Sequence, residues 1–387
     1  MTARGAHPLK PNAAEPAMRL ADTPHVTEGM PPLQFKQLTR SFFEFWPTWL
    51  VYLPVVVQSL YLAARYRSLS LPFIANPNLT LSGMVGVAKS ELLTQAQAEC
   101  AESILPWFMI LRDTSKPNVQ AESTAKSMSD RGFHFPVVCK PDIGCRGAGV
   151  KLVENQAALS ACLAVYPESA PVLIQQLSQY EPEVGIFYVR EPDQAKGRII
   201  SMALKYSPYV VGDGQSTLKA LLERDPRAKD LQYLYTQRHD QALNSVLPDG
   251  QPYKLVFSAS HCRGAIFKNA AQYITPELEA RLDVLMKGLP EFYYGRLDVK
   301  FRDIDALQKG QTLEIIEING ASSESLHIWD SDASFKEALS ALLYQYRTLF
   351  RLGHLNRNRG YKTPGLSKLF ELWRKERNLT RNYPETD

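Results

Sequence analysis

The sequence predicts a protein of the α+β class, because pairs of strands around polar or glycine-rich turns alternate with amphipathic helices. Residues 295–326 contain two strands around a polar turn, and residues 135–153 contain two strands around a glycine-rich turn. Amphipathic helices are predicted at residues 118–132 and 155–166. The 387 residues are enough for two or three packed units.

The composition is that of a globular protein, with 45% hydrophobic and 22% charged residues. The net charge of +4 is weak and no basic–aromatic repeat is visible, so no nucleic-acid partner is expected. The five cysteines form no CxxC pair and no metal-binding spacing. Such scattered cysteines indicate reduced thiols and a cytoplasmic location.

The N-terminal region is predicted as a disordered tail, residues 1–34, and a helical, apolar segment, residues 35–83. Residues 45–64 carry no charge, which leaves three interpretations open: a buried helical hairpin, an interfacial anchor and a membrane span. Pro47 and Pro54 would disturb a spanning helix. Peripheral contact with the inner face of a membrane through this stretch is therefore one hypothesis.

Three oxygen-bearing side chains mark the hairpin at 295–326. Glu317 and Asn319 share a strand face, because residues two apart on a strand point to the same side. If the hairpin pairs Asp298 alongside them, three hard oxygen ligands meet, and such a set suits Mg²⁺. The alternative is an edge hairpin with solvated acids.

The glycine-rich turn at 142–149 is the candidate anion site. Gly144, Gly147 and Gly149 allow backbone N–H groups to approach an anion, and Lys140 precedes the turn with a positive charge. The alternative is a glycine-rich hairpin that binds nothing, in which Cys145 is a small filler.

Two basic side chains follow on a predicted strand at residues 257–267. The alternation places His261 and Arg263 on one side of that strand, just before Gly264. A functional role is favoured for Arg263 because the strand around it is apolar. His261 is either functional or a packed core histidine.

Residues 321–330 follow the last proposed metal ligand and include Ser323, Glu324 and His327. Glu324 could bind a cationic amine, and His327 could take a proton from that amine. Alternatively, Glu324 forms a salt bridge with Arg263, and His327 is a packing residue.

Together these segments resemble the ATP-grasp superfamily, most closely its carboxylate–amine ligases. GRLDV…LEIIEIN is similar to the metal-binding core of D-alanine–D-alanine ligases, and residues 205–227 are similar to a segment of cyanophycin synthetases. The resemblance covers residues 83–345. It implies an ATP-grasp fold in which two α+β subdomains clamp ATP, with an atypical helical N-terminal segment. The implied units are subdomain 1 with the glycine-rich flap (84–178), subdomain 2 with the metal site (179–347) and a basic helical tail (348–387).

The resemblance also implies roles for individual residues. Arg296 steadies the anionic intermediate, with Arg263 and His261 as further catalytic residues. The implied metal ligands are Asp298, Glu317 and Asn319, for two Mg²⁺ ions with Mn²⁺ as an alternative. The implied substrate-binding residues are Ser323, Glu324 and His327. The implied ATP-binding residues are Lys89, Lys140, Gly144, Cys145, Arg146, Gly147, Ala148, Gly149, Gln175, Gln176, Leu177, Glu183 and Lys205.

The implied function is ATP- and Mg²⁺-dependent ligation of a carboxylate to an amine through an acylphosphate. Small molecules or peptides are the expected substrates. The N-x-x-P-G stretch of D-alanine–D-alanine ligases is absent after Asn319, which argues against D-alanine as the acceptor. The alternatives are an ATP-grasp phosphotransferase, that is a kinase, and a non-catalytic ATP-binding module at the membrane. The basic tail is read as a solvated helix pair or as a segment attracted to an anionic membrane.

Overall fold

The computed structural model describes residues 24–33, 46–144, 148–258 and 260–387. It confirms the predicted α+β class. The strands are β1 Trp107–Leu111, β2 Val137–Pro141, β3 Lys151–Val153, β4 Pro171–Gln176, β5 Glu183–Val189, β6 Arg198–Tyr206, β7 Tyr209–Val211, β8 Pro252–Lys254, β9 Ile266–Asn269, β10 Tyr294–Lys300 and β11 Glu314–Asn319. The helices are α1 Thr48–Tyr66, α2 Lys89–Leu93, α3 Ala98–Ser103, α4 Pro117–Asp130, α5 Gln156–Val165, α6 Leu218–Arg224, α7 Gln232–Arg238, α8 Pro276–Lys287, α9 Ile304–Gln308, α10 Phe335–Asn358 and α11 Leu366–Thr380.

Two antiparallel sheets form the framework of the described residues. One has four strands in the order β1-β4-β2-β3, and the other has five in the order β11-β10-β5-β6-β9. The apolar faces of α4 and α5 pack on the first sheet, with Met128, Leu159 and Leu163 in its core. Helix α8 packs on the second sheet. The two sheets fall within the two predicted subdomains, one in each.

The two sheets approach each other along β11. Ile104 forms a parallel bridge with Ile315, and Lys140 Nζ on β2 donates to the carbonyl of Ile316 at 2.9 Å. This junction places the end of β2 beside the middle of β11. The side chains discussed below gather at this point.

Within the uncharged stretch at 45–64, residues 48–64 belong to one helix, α1, so of the three interpretations the buried helical hairpin is wrong. Pro47 stands just before α1, and Pro54 lies inside it. Val51 and Val55 on one face of α1 pack against α10, which offsets the backbone hydrogen bond that Pro54 cannot make. Within the described ranges, no helix is long and apolar enough to cross a membrane.

Both predicted ends of the chain need correction. Residues 24–33 were predicted to be disordered, but Leu33 is buried in the core and the Pro31 carbonyl accepts a hydrogen bond from the Tyr206 hydroxyl at 3.0 Å. Residues 1–23 and 34–45 lie outside the described residues. The basic tail was predicted either as a solvated helix pair or as a segment attracted to a membrane. Helix α10 runs through the predicted boundary at 348 and buries Leu352 and Asn356, so the first part of the tail is not a solvated helix.

Candidate active site

The hairpin of β10 and β11 brings the three proposed metal ligands together. Asp298 lies opposite Glu317, and Arg296 lies opposite Asn319. Side chains at directly opposed positions share a face of the sheet. Asn319 Nδ2 is 3.4 Å from Asp298 Oδ2. The hairpin therefore has the register that the sequence analysis required for a shared oxygen site.

A buried ion pair joins Asp298, one of the proposed metal ligands, to Arg296. Arg296 Nε is 2.7 Å from Asp298 Oδ1, and Arg296 Nη2 is 3.0 Å from Asp298 Oδ2. Burial raises the pKa of the Asp298 carboxyl, and the positive charge of Arg296 offsets only part of that rise. Arg296 Nη1 also donates to the Glu324 carbonyl at 3.2 Å. The guanidinium is thus fixed between the hairpin and the segment that follows it.

Two lysines from the other side of the junction face Glu317. Lys89 Nζ is 3.8 Å from Glu317 Oε1. Lys140 is buried, which lowers its pKa to about 8, and its Nζ donates to Gln175 Oε1 at 2.8 Å. Burial acts to raise the pKa of Glu317, but Lys89, Lys140 and Arg296 outweigh burial and the pKa is lowered. The predicted phosphate-binding lysines and metal ligands therefore form one charged cluster.

A second charged cluster contains Glu183, Lys205 and Lys300. Lys205 Nζ lies 2.6 Å from Glu183 Oε1, and Lys300 Nζ lies 3.1 Å from Glu183 Oε2. Burial alone would raise the pKa of Glu183, but the two lysines hold it at about 2. Lys300 was not among the residues predicted from the sequence. Strand alternation could have found it, because Lys300 stands two residues after Asp298 on β10.

Lowering the pH should reduce the free energy of unfolding through protonation of Glu183. Its folded-state pKa lies below the ordinary value, so its contribution is present above about pH 4.5 and is lost as the pH falls toward 2. We expect Glu183→Gln to lower the free energy of unfolding by about 3 kcal/mol near neutral pH, because it leaves two buried lysines uncompensated. The difference in the free energy of unfolding between wild type and variant should be smaller at about pH 3. Urea unfolding at both pH values checks this, and a gap that is constant with pH would contradict it.

The glycine-rich flap (residues 144–149) is described at Gly144, Ala148 and Gly149, whereas the predicted site residues Cys145, Arg146 and Gly147 lie outside the described residues. Lys89 Nζ donates to the Gly144 carbonyl at 3.2 Å. Asp142, just before the flap, accepts hydrogen bonds from the amide and hydroxyl of Ser90, each at 2.8 Å. The flap and the start of α2 are therefore held together, which positions Lys89.

The end of the described chain packs against the flap, which the sequence did not indicate. We call residues 383–387 the C-terminal latch. Asp387 accepts hydrogen bonds from Lys151 Nζ at 2.7 Å and from the Leu152 amide at 2.9 Å. The Tyr383 side chain lies where a Cβ on Gly149 would meet it at 3.3 Å. The Ser258 amide donates to the Asp387 carbonyl at 3.1 Å, so the latch joins β3 to a loop outside the first sheet.

Loosening the latch should loosen the flap. Asp387→Ala removes one ion pair and one side-chain hydrogen bond to β3, worth on the order of 1 kcal/mol together. We expect hydrogen exchange of the Leu152 amide and of residues 148–150 to accelerate about fivefold. Glu385→Ala, at an exposed position in the same segment, is the matched control. Equal exchange in both variants would show that the latch does not restrain the flap.

The predicted hinge, Gln175 to Leu177, stands at the end of β4 and just beyond it. Gln175 Nε2 is buried and has no hydrogen-bond partner among the described residues, so one donor is left for a bound group. The Gln176 side chain instead bonds the backbone of His134, at 3.2 Å to the amide and 3.0 Å to the carbonyl. Gln175 is therefore the better placed of the two for binding.

The substrate segment contacts two elements that the sequence analysis did not connect to it. The Tyr52 hydroxyl on α1 donates to the Glu324 carboxylate. His327 Nδ1 is 2.7 Å from Ser201 Oγ on β6, and burial lowers the His327 pKa. Ser323 Oγ donates to the Gly320 carbonyl. A cavity of about 840 Å³ lies beside His327, also lined by Arg198, Ser325, Lys336 and Glu337.

The strand predicted at 257–267 is wrong over most of its length. His261–Arg263 form a 3₁₀ turn, and the strand β9 begins only at Ile266. Gly264, with φ of +88°, has a backbone conformation that breaks extended structure. The Arg263 carbonyl accepts a hydrogen bond from the Tyr235 hydroxyl at 3.0 Å. The placement of the His261 side chain lies outside what the structure describes.

A buried asparagine in the segment between α1 and α2 fixes the start of β10. Asn76 Oδ1 accepts from the amides of Tyr293 at 2.8 Å and Tyr294 at 2.9 Å, and Asn76 Nδ2 donates to the Tyr294 carbonyl at 2.7 Å. The same loop brings Gly83 so close to Gly320 that a Cβ on Gly83 would lie 2.8 Å from Gly320 Cα. This contact holds the chain directly after Asn319.

The donor set fits a magnesium ion that also binds a substrate. Within the described residues, no three His, Cys, Asp or Glu side chains gather in a group that could hold a metal by themselves. Asp298, Glu317 and Asn319 offer two carboxylates and one amide, all oxygen donors on adjacent positions of one hairpin. Mg²⁺ commonly takes one or two carboxylates and completes its coordination with water and substrate phosphates.

Several solved structures are similar to this chain. A bifunctional glutathione synthetase from Pasteurella multocida is 14% identical with a TM-score of 0.35, over 67% of this chain and 36% of that chain. A D-alanine–D-alanine ligase from Coxiella burnetii is 8% identical with a TM-score of 0.37, over 75% and 61%. The VanG D-Ala:D-Ser ligase from Enterococcus faecalis is 12% identical with a TM-score of 0.37, over 68% and 60%.

The chain thus spans 36% to 61% of the length of these three proteins. No family model and no curated protein sequence matches it.

Proposed function

We propose that this protein is an ATP-grasp carboxylate–amine ligase, which uses ATP and Mg²⁺ to join a carboxylate to an amine through an acylphosphate. The convergence of Lys89 and Lys140 on Glu317, beside the paired Asp298 and Arg296, carries the proposal. Buried cations and carboxylates gathered where two sheets meet are typical of a site that takes a charged ligand. A polyanionic nucleotide with its metal fits such a cluster.

The chemistry requires a leaving group on the acid. A carboxylate resists attack by an amine because it is negatively charged and delocalised. Transfer of a phosphoryl group to one carboxylate oxygen gives an acyl carbon that an amine can attack, with phosphate as the leaving group. Lys89 and Lys140 offset the negative charge of the transferred group, and Mg²⁺ held by Asp298, Glu317 and Asn319 would add positive charge at the phosphate oxygens.

Arg296 is placed to stabilise the second step. When the amine adds to the acyl carbon, negative charge develops on the acyl oxygen, and a preorganised donor there is worth about 3 kcal/mol. Asp298 and the Glu324 carbonyl hold the Arg296 guanidinium in one orientation. The ion pair therefore serves to position a donor that would otherwise be flexible.

Glu324 and His327 are the proposed amine-side residues. Glu324, oriented by Tyr52, attracts the cationic amine, and His327 accepts its proton. Burial lowers the pKa of His327, which keeps the imidazole neutral and able to accept a proton. In the tautomer whose Nδ1–H donates to Ser201 Oγ, Nε2 is the nitrogen that accepts the proton.

Product analysis tests the proposal. Purified protein is incubated with Mg-ATP and a panel of amino acids, peptides and lipid-linked acids and amines, singly and in pairs. A ligase releases ADP and phosphate only with a matched acid and amine, and forms a product lighter by one water than their sum. ADP release without free phosphate, with one partner gaining a phosphoryl group, would indicate the kinase alternative. ATP binding without turnover for every pair would favour a non-catalytic module.

A further inference from the structure

Helix α1 has an exposed face made entirely of apolar side chains. From Trp49 to Ala64, every exposed residue of the helix is apolar, and Trp49 is 69% and Tyr61 62% exposed. At 100° per residue these positions fall on one side of the helix. We call them the α1 apolar face: Trp49, Leu50, Leu53, Val56, Val57, Leu60, Tyr61 and Ala64. A continuous apolar stripe of this size commonly marks an interaction surface.

The charged residues of the α1 segment itself have one sign. No Asp or Glu occurs between Glu44 and Glu91, whereas Arg65 and Arg67 stand exposed at the end of α1. The apolar face is therefore bordered by positive charge along the chain and by no acidic residue of its own segment. Such a border favours an occupant with negative charge.

Helix α11 also exposes apolar side chains next to basic ones, although its Glu371 pairs with Lys368 at 2.9 Å. Leu366, Phe370 and Trp373 are exposed and lie three or four residues apart on one side of α11, while Leu372 on another side is buried. The Arg377 guanidinium lies 5.2 Å from the centre of the Trp373 ring. The other exposed basic residues of this region are Lys368, Arg374, Lys375 and Arg381. Aromatic and aliphatic side chains bordered by arginine and lysine are typical of helices that lie in a membrane interface.

We propose that the α1 apolar face binds the surface of an anionic lipid bilayer, lying in the plane of the interface, with α11 as a second contact. Apolar side chains enter the boundary between headgroups and acyl chains, and the arginines and lysines pair with anionic headgroups. A second copy of this chain is the weaker occupant, because it would present the same positive charge. This inference does not depend on the proposed ligase activity.

The buried side of α1 gives the contact a structural consequence. Tyr52, on the side that faces α10, donates to Glu324 in the candidate active site. The membrane-facing helix and the substrate segment are therefore in direct contact. A bilayer that holds α1 would also hold the residue that orients Glu324.

Vesicle flotation of the full-length protein tests the proposal. The probes are vesicles of phosphatidylcholine alone and vesicles with phosphatidylglycerol added. We expect the protein to float with the anionic vesicles, more weakly with the neutral ones, and less at high salt. The double variant Leu53→Glu/Leu60→Glu should weaken anionic binding at least about tenfold, because both side chains would carry charge into the acyl region. Val119→Glu, at an exposed apolar position on α4, is the matched control and should bind as wild type.

Three results would overturn the proposal. The first is a protein that remains at the bottom of the gradient with both kinds of vesicle. The second is a double variant that binds as tightly as wild type. The third is a dimer, seen by light scattering, that the double variant dissociates, with no lipid binding, which would assign the face to a second copy. If the double variant does not fold, judged by circular dichroism, Leu60→Gln replaces it, and the same outcomes apply.

Discussion

Asp298→Asn and Glu317→Gln are each expected to reduce ATP turnover at least about 100-fold while the protein stays folded. Each change keeps the shape of the side chain and removes one negative charge. Asp298 fixes Arg296 through two contacts, at 2.7 and 3.0 Å, and Glu317 balances the charges of Lys89 and Lys140. Both changes also replace a negatively charged proposed metal ligand by a neutral amide, so metal binding and charge balance are weakened together.

The measurement is ADP release from Mg-ATP in the presence of the acid and amine identified in the substrate panel, with circular dichroism as the check on folding. Glu314→Gln is the matched control, because Glu314 is on the same strand but its carboxylate bonds Ser178 and Gln179. We expect its turnover to stay within about twofold of wild type. Turnover unchanged in both Asp298→Asn and Glu317→Gln would show that the chemistry does not occur at this hairpin.

Asn76→Ala is expected to lower the free energy of unfolding by about 3 to 5 kcal/mol. Asn76 is fully buried and its side chain satisfies the amides of Tyr293 and Tyr294 and the carbonyl of Tyr294. Each buried backbone group left without a partner costs about 1–3 kcal/mol. Because these bonds fix the first residues of β10, the variant should also lose activity through displacement of Arg296.

Urea unfolding followed by tryptophan fluorescence measures this effect. Asn78→Ala is the control, because the Asn78 side chain makes an exposed bond at 3.3 Å to the Pro290 carbonyl. The control should change the unfolding free energy by less than about 1 kcal/mol. Equal effects at the two positions would mean that the loop does not hold β10 in place.

The hairpin could be predicted from the sequence because strand alternation is a local rule. Once Glu317 and Asn319 are assigned to one face, the missing fact is the register of Asp298. The predicted polar turn does not supply it, because the connection between the two strands contains helix α9. The same alternation rule could have predicted that Lys300 lies on this face. Helix α5 was likewise predicted from its own residues, at 155–166, and it is observed at Gln156–Val165 with Asn155 as its N-cap.

The contacts that position the site could not be predicted in this way. The bond from Tyr52 to Glu324 joins residues 272 positions apart, and that from the Leu152 amide to Asp387 joins residues 235 apart. No local periodicity encodes such pairings, because they depend on how whole elements pack. The interpretation of residues 45–64 as a helical hairpin was wrong for a related reason. Pro47 and Pro54 suggested a break, but packing on α10 stabilises one continuous helix.

The central claim is that phosphate leaves with an oxygen that came from the acid. The measurement uses the acid identified in the substrate panel, with both carboxylate oxygens replaced by oxygen-18, and follows the released phosphate by mass spectrometry. Attack of the carboxylate on the phosphoryl group and later loss of phosphate to the amine predict one heavy oxygen in each phosphate and the other in the amide. Phosphate free of oxygen-18 while the amide forms would contradict an acylphosphate and with it the proposed mechanism.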